Sequence, residues 1–291
     1  LDKDVGGQAD EDQDTGTGSP HLNEDEQDQA AAHTAPKALI IHEIIREEGE
    51  AGLGRTNGAL AFSGFAAGLS MGFSFLTQAF LRAGLPDVPW RHLIDSVGYS
   101  VGFVIVILGR QQLYTESTLT AVLPVLTRRD RSTAMNALRL WGIVLATNLA
   151  ATWVMASLLM VPGVFKPPVV AALGALSTTG MESGFLQTLI KALLAGWLIA
   201  MMVWLLPSAR SARLALVLLV TSVVALGQLS HIIAGSVDSA YAVLMGLAPL
   251  GDYFGRFLVP TLLGNTLGGV ALVAVLNHAA IAPEMMPGEQ R

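Results

Sequence analysis

One histidine, His231, lies in the middle of a long apolar stretch, while the others stand in the N-terminal region (His21, His33, His42) or near the ends of such stretches (His92, His278). An ionisable group at that depth is expensive, which makes it a functional candidate by default. Histidine also changes charge close to neutral pH, so it is suited to lend a proton to a passing weak-acid anion. The bland alternative is a neutral ring satisfied by a neighbouring carbonyl. Thr115 sits in the run Leu113-Tyr114-Thr115-Glu116-Ser117-Thr118. Its hydroxyl either holds His231 and fixes the ring's tautomer, or bonds back to its own helix. Lys191, five residues before Gly196, either draws anions inward or snorkels to the nearer surface. Arg110 and Glu116 either pair with each other structurally or tune selectivity.

These residues must be positioned by a chain that is 52% hydrophobic and only 14% charged over 291 residues, where a soluble domain averages about 25% charged. Mean hydropathy is +0.53. Residues 1–36 hold ten acids and one base; the rest holds 13 acids and 16 bases, so the acidity belongs to a tail. That tail has too few large apolar residues to offset the entropy of ordering and is expected to be disordered. It lacks the basic start and apolar run of a signal peptide. Residues 37–56 read as an amphipathic cytoplasmic helix with Leu39, Ile40, Ile44 and Ile45 on one side. Residues 281–291 read as a short cytoplasmic tail. With no cysteine, thiol nucleophiles, disulfides and Cys-ligated metals are excluded. No metal or cofactor motif stands out, and no basic, aromatic-studded surface points to nucleic acid.

Apolar segments long enough to cross a bilayer fall at 58–80, 93–126, 138–161, 186–206, 214–247 and 256–279. The expected fold is therefore an all-α polytopic membrane protein with six transmembrane helices. The second and fifth segments are too long for one helix and are interrupted at Gly109-Arg110-Gln111-Gln112 and at Gly227-Gln228-Leu229-Ser230-His231. Arg128, Arg129, Arg131, Arg210 and Arg213 put their loops and both termini in the cytoplasm by the positive-inside rule, with Arg82 and Arg91 as minority votes.

The third and sixth segments each place an asparagine, Asn148 or Asn265, among small residues. Thr115 precedes Asn148 by 33 residues and His231 precedes Asn265 by 34, which suggests an internal repeat with Thr115 and His231 at matching places. Three crossings per half make the repeats inverted, and broken helices then meet near the midplane where solute binds. Gly68-Leu69-Ser70-Met71-Gly72 matches a nucleophile elbow, but that motif needs a strand-to-helix turn. Here it lies within an apolar Gly64-x-x-x-Gly68-x-x-x-Gly72 run, which is a helix-packing face. The chain is not expected to be an enzyme.

Several strings together give a more specific likeness: Leu113-Tyr114-Thr115 with Ser117-Thr118-Leu119-Thr120, Gly196-Trp197-Leu198 with Val203-Trp204, Ser230-His231-Ile232-Ile233-Ala234, and Pro260 with Gly264-Asn265-x-x-Gly268-Gly269. Over residues 40–280 the chain resembles the formate/nitrite transporter family, in a divergent bacterial branch carrying Leu108-Gly109-Arg110-Gln111-Gln112-Leu113. The resemblance implies an aquaporin-like fold, a homopentamer with one pore per protomer, and passage of small monovalent anions. It implies Thr115 and His231 as the central pair, constrictions around Leu113, Tyr114 and residues 227–235, and Lys191 and Asn265 as polar vestibule positions. The chain departs from the family at Gln112, where an acid is usual, at Ser230, where Glu is usual, and at Gly235, where Asn is usual; Arg110 and Glu116 are additions. Fewer acids leave Lys191 and Arg110 less compensated and favour anions on Coulomb grounds, and the missing Glu removes the expected setter of the histidine tautomer.

The function expected is a channel or proton-coupled carrier for small monovalent anions in the bacterial inner membrane, with protons and the lipid bilayer as further partners. A neutral small-solute pore is the rival within transport. A non-conducting sensor or scaffold that uses its acidic tail is the rival outside it.

Overall fold

The computed structural model describes residues 20–33 and 36–282, and all regular structure among them is helical. The disorder expected for residues 1–36 falls largely outside the described residues. Inside them, Glu24–His33 forms a helix, α1, where none was expected. Glu24, Asp25 and Glu26 occupy its first turn, where carboxylates complement the positive end of the helix dipole.

α2 (Ala38–Leu53) buries Ile41, His42, Ile45, Gly49 and Leu53 against the body. Of the expected face, Ile45 is buried and Leu39 packs against the core, but Ile40 and Ile44 point outward, 49% and 38% exposed. Gly49 explains the register, because a Cβ there would collide with the Thr120 carbonyl. Acid–base pairs then rivet the helix down. Arg46 bonds Glu43 (2.7 Å) and Glu50 (2.6 Å), and Arg128 bonds Glu50 from below at 2.9 Å. The Arg128 guanidinium, helped by Arg46 and opposed by partial burial, holds the Glu50 carboxyl below its usual range. The ring of buried His42 meets His278 at 3.0 Å, tying α2 to the far end of the chain.

Among the described residues, five stretches are long and apolar enough to cross a membrane: Asn57–Gly84, Arg91–Leu108, Arg131–Leu159, Phe185–Leu226 and Leu250–Ile281. The first is α3, begun by Thr56, whose side chain accepts from the Ala59 amide at 3.3 Å. The second joins α4 (Arg91–Gly98) to α5 (Ser100–Leu108) through Tyr99, which keeps helical dihedrals. After residues 109–113 the chain resumes as α6 (Tyr114–Thr120) and α7 (Val122–Arg128). α8 (Arg131–Leu159) starts at Asp130, whose carboxylate accepts from the Thr133 amide and from the Ser132 and Thr133 hydroxyls. These donors, Ser132 foremost, hold the Asp130 carboxyl far below its usual range.

α9 (Pro167–Ser177) was not foreseen. It sits where the sequence suggests only a loop, and opens on prolines at positions whose N–H groups would lack helical partners anyway. α10 (Phe185–Ala209) is separated from α11 (Arg213–Leu226) by one tight turn, Arg210–Ala212. α12 (Ala234–Leu244) follows seven residues later. The last helical stretch, Leu250–Ile281, carries two π-helical segments, Tyr253–Leu258 and Val270–Val275, on either side of α-helical Val259–Gly269.

Two helix pairs form the frame: α3 against α8, and α10 against the last stretch. Both approach through small residues, as helices in lipid do when close van der Waals contact must replace the hydrophobic drive. A Cβ at Gly68 would strike the Asn148 carbonyl, and one at Gly196 would strike the Asn265 carbonyl. The glycine run on α3 is thus a packing face. These contacts set the backbone spacing that lets each asparagine reach across.

Candidate functional site

Asn148 sits fully buried on α8. Its Oδ1 accepts from the Tyr114 amide at 3.0 Å, and its Nδ2 donates to the Gly64 carbonyl (2.7 Å) and the Gln112 carbonyl (3.0 Å). Asn265 repeats the arrangement. Its Oδ1 accepts from the Ile232 amide at 2.8 Å, and its Nδ2 donates to the Ala192 carbonyl (2.7 Å) and the Ser230 carbonyl (2.9 Å). Each side chain therefore satisfies an amide and a carbonyl that the missing helix leaves without partners. Non-helical backbone survives at membrane depth only where it is so satisfied or lines a cavity. The matched bonds align Gln112 with Ser230, Leu113 with His231 and Tyr114 with Ile232. That corrects the equivalence of Thr115 and His231 suggested by the sequence spacing: the residue matching His231 is Leu113.

Thr115 still meets His231, as one of the sequence alternatives required. Its Oγ1 lies 2.8 Å from His231 Nε2, both residues about 1% exposed. It is Thr118 whose hydroxyl turns back to the helix, donating to the Thr115 carbonyl at 2.7 Å. The other ring nitrogen, Nδ1, faces the Ala234 amide at 3.2 Å. An amide can only donate, so Nδ1 carries the lone pair and Nε2 carries the proton. The expectation that a lost Glu leaves the tautomer unset is thereby corrected: the first turn of α12 sets it. Phe103 packs edge-on against the ring, centroids 4.9 Å apart.

Two cavities are lined by residues of the two chain breaks. The first, about 430 Å³, is lined by His231, Ser230, Gly235 and Lys191, with Arg82 and Arg91. Lys191 Nζ donates to Ser183 Oγ at 3.2 Å. The same wall carries Asp95, Glu182 and Asp238, acids that sequence reasoning passed over because they stand far from His231 along the chain or outside any motif. Asp238 lies seven residues after His231, and two helical turns bring it to the same cavity wall. Gly235 stands where a Cβ would sit 2.7 Å from the Phe257 ring, so Phe257 fills the space a larger residue would need.

The second cavity, about 460 Å³, is lined by Arg110, Gln111, Gln112, Leu113 and Glu116 together with Glu48 of α2. Arg110 does not pair with Glu116, as one sequence alternative had it; its Nη1 bonds Glu48 Oε1 at 2.8 Å. Tyr114 is buried away from both cavities, its hydroxyl 2.9 Å from Thr266 Oγ1. His231 lines one cavity, while Leu113, two residues before Thr115, and Glu116, next after it, line the other.

The chain as a whole is similar to known membrane proteins. Residues 40–279 match the model of the family described as formate/nitrite transporter. The inner membrane protein YfdC of Escherichia coli (strain K12) is 39% identical over 249 residues, 86% of this chain and 80% of that protein. The uncharacterized transporter YrhG of Bacillus subtilis (strain 168) is 25% identical over 232 residues, 76% of this chain and 85% of its own length. Among solved structures, a pentameric formate channel with formate bound superposes with a TM-score of 0.62 at 18% identity, covering 81% of this chain and 99% of that one. An FNT family ion channel gives 0.65 at 19% identity, covering 84% and 96%. Matched by the family model over nearly all its apolar length and 39% identical to YfdC, this chain is a member of the formate/nitrite transporter family.

Proposed function

We propose that the chain forms a channel or carrier for small monovalent weak-acid anions of the formate and nitrite class, with a proton handed over at Thr115 and His231. The observation that carries this reading is the 2.8 Å contact between those two side chains, with His231 on the wall of the Lys191-lined cavity. With Nε2–H donated to Thr115, the threonine keeps its own O–H for an arriving anion. The anion takes that proton, Thr115 takes the one on Nε2, and a hydronium ion in the Lys191-lined cavity protonates Nδ1, leaving water and a neutral ring in its other tautomer. The Nδ1 contact with Ala234 is the longer of the ring's two bonds and is the one that must yield. The net step is anion plus proton giving neutral acid, which crosses the apolar waist beside Phe103 at far lower cost than the charge. Lys191, on the same wall as His231, is the cation that would meet an anion in the first cavity, whereas Arg91 is already paired with Asp87 at 2.6 Å.

On this reading the chain crosses a bacterial inner membrane six times, as two inverted three-helix repeats with the second and fifth crossings broken and both termini cytoplasmic. Five copies assemble, each with its own pore. Outward-facing Phe62, Leu219, Leu186 and Leu138 are 81%, 66%, 64% and 59% exposed in the single chain, which suits burial in lipid or against a neighbour. The test is flux in proteoliposomes at several pH values for formate, nitrite and glycerol, in wild type and His231→Ala. Anion uptake that rises as pH falls and flattens in His231→Ala is the expected result. Identical pH profiles in the two proteins would end the relay. Glycerol flux alone would make this a neutral pore.

A further inference from the structure

The last turn of α11 leaves four carbonyls to be matched before the second break begins. Those of Val223, Val224 and Ala225 accept from the Gly227, Leu229 and Gln228 amides, each at 2.9 Å. The fourth, on Leu226, is met by a side chain of another helix: His92 Nε2 of α4 lies 3.3 Å from its oxygen. The other ring nitrogen, Nδ1, faces Asp95 Oδ1 at 3.1 Å. A carbonyl and a carboxylate both accept, so holding the two bonds together takes a ring with two protons. A neutral ring has one N–H. With that proton turned to Asp95, whose side chain is buried, bare Nε2 would set a lone pair against the Leu226 oxygen. The His92 side chain is 42% exposed and open to water, and histidine changes charge close to neutral pH.

The charged groups around the ring leave Asp95 as its carboxylate. On α4, Arg91 is taken by Asp87 at 2.6 Å. α3 brings Arg82 to the same cavity, and Glu182, Lys191 of α10 and Asp238 of α12 line it as well. α5 and the stretch of α11 after Arg213 carry no charged residue. A cation at the end of α11 also meets the negative end of that helix's dipole. His231 follows Leu226 by five residues, so this cap fixes where the break that carries it starts.

We propose that protonated His92, held by Asp95, is a positioning residue that caps α11 and steadies the His231 break, and that the cap loosens as the ring loses its charge. This goes beyond the transport reading: the cap belongs to the fold, and transport is affected only through the place it gives His231.

The experiment is hydrogen exchange of the full chain in lipid nanodiscs at pH 5.5 and 8, each rate taken relative to an unstructured peptide at the same pH. In the wild type, protection of the 227–229 amides is expected to fall about fivefold between the two, the size of a cation's effect at a helix C-terminus. His92→Ala should be low at both pH values, and His92→Lys, charged throughout, high at both. The 109–111 amides close α5 with the same backbone bonds and should not change. A wild type with equal protection at both pH values, a fall that survives in His92→Ala or His92→Lys, or an equal fall at 109–111 would each overturn the inference. Formate uptake into proteoliposomes keeps the two readings apart. His92→Lys should match the wild type at pH 5.5 and exceed it severalfold at pH 8; equal uptake at pH 8 would strip the cap of its positioning part. If the exchange pattern holds while the wild type moves neither formate nor nitrite, the transport reading falls and the cap stands.

Discussion

At residues 109–113 and again from residue 227 the chain leaves its helix through a glycine, then places one residue in the left-handed region, Arg110 (φ 54°) or Gln228 (φ 47°). Paired backbone bonds close both helix ends alike: Gln111 and Leu229 donate five residues back, to the Val106 and Val224 carbonyls, at 3.0 and 2.9 Å. An asparagine on a distant helix then clamps each break with three bonds. The backbone solution is shared, and the side chains placed on it are not. Where the first break carries Leu113, 1% exposed, the second carries His231. One half contributes an apolar wall and, two residues on, a hydroxyl; the other contributes the titratable ring. The histidine therefore gains Thr115 as its partner because the halves have diverged, not because they match.

That comparison is open to breakage. The largest effect expected is on the clamps: Asn148→Ala and Asn265→Ala each strand a buried amide and carbonyl, at about 3 kcal/mol apiece. Thermal unfolding of the purified protein should place both variants well below wild type and close to one another; a tolerated loss at one site would show that the breaks are not equivalent. Next comes the cargo. Exchanging the unlike residues, as Leu113→Ala against His231→Ala, should leave the pH dependence of flux intact in the first and remove it in the second. Equal losses of pH dependence would mean the histidine is structural. Overpacking the helix crossings should cost somewhat less: Gly68→Ala and Gly196→Ala are each expected to destabilise by about 1–3 kcal/mol in the same unfolding assay, in equal measure if the two frames are alike.

The smallest effect belongs to α2, which only one half carries. Glu50 is held below the usual carboxylate range by Arg128, so its contribution to docking is fully present above its ordinary value of 4.5 and is lost as pH falls through the lowered one. The pair is partly exposed, so the effect is modest. Hydrogen exchange of α2 amides should quicken at acid pH in wild type and show less of that change in Glu50→Gln. Exchange that quickens as much in Glu50→Gln would place the acid sensitivity elsewhere.

Much of this was legible in the residues. The glycines at 109 and 227 stop two apolar runs because the chain there loses helix-forming side chains and gains polar ones. Asn148 and Asn265 stood out because an amide inside an apolar helix needs partners. Their repeat was visible, yet its register was not: counting to the asparagine from Thr115 put the match two residues away from Leu113, since a side chain's reach across helices leaves no mark on sequence spacing. Arg110 was misassigned to Glu116 for a related reason. Only the docking of α2 puts Glu48 nearer. Ile40 and Ile44 were placed inward by periodicity alone, whereas the close approach at Gly49 rotates that face outward.

What the sequence determined by itself was the solvent and the local punctuation. Long apolar runs with few charges must lie in lipid, glycine-polar interruptions must end helices there, and a histidine in the middle of an apolar run is a functional candidate. The tertiary structure decided which groups meet. It brought Thr115 within 2.8 Å of a residue 116 positions away, set the histidine's tautomer with a backbone amide, and put Lys191 on the same cavity wall as His231. Hydrogen bonds act over about 3 Å, and only the packing of small residues at the helix crossings brings distant positions that close.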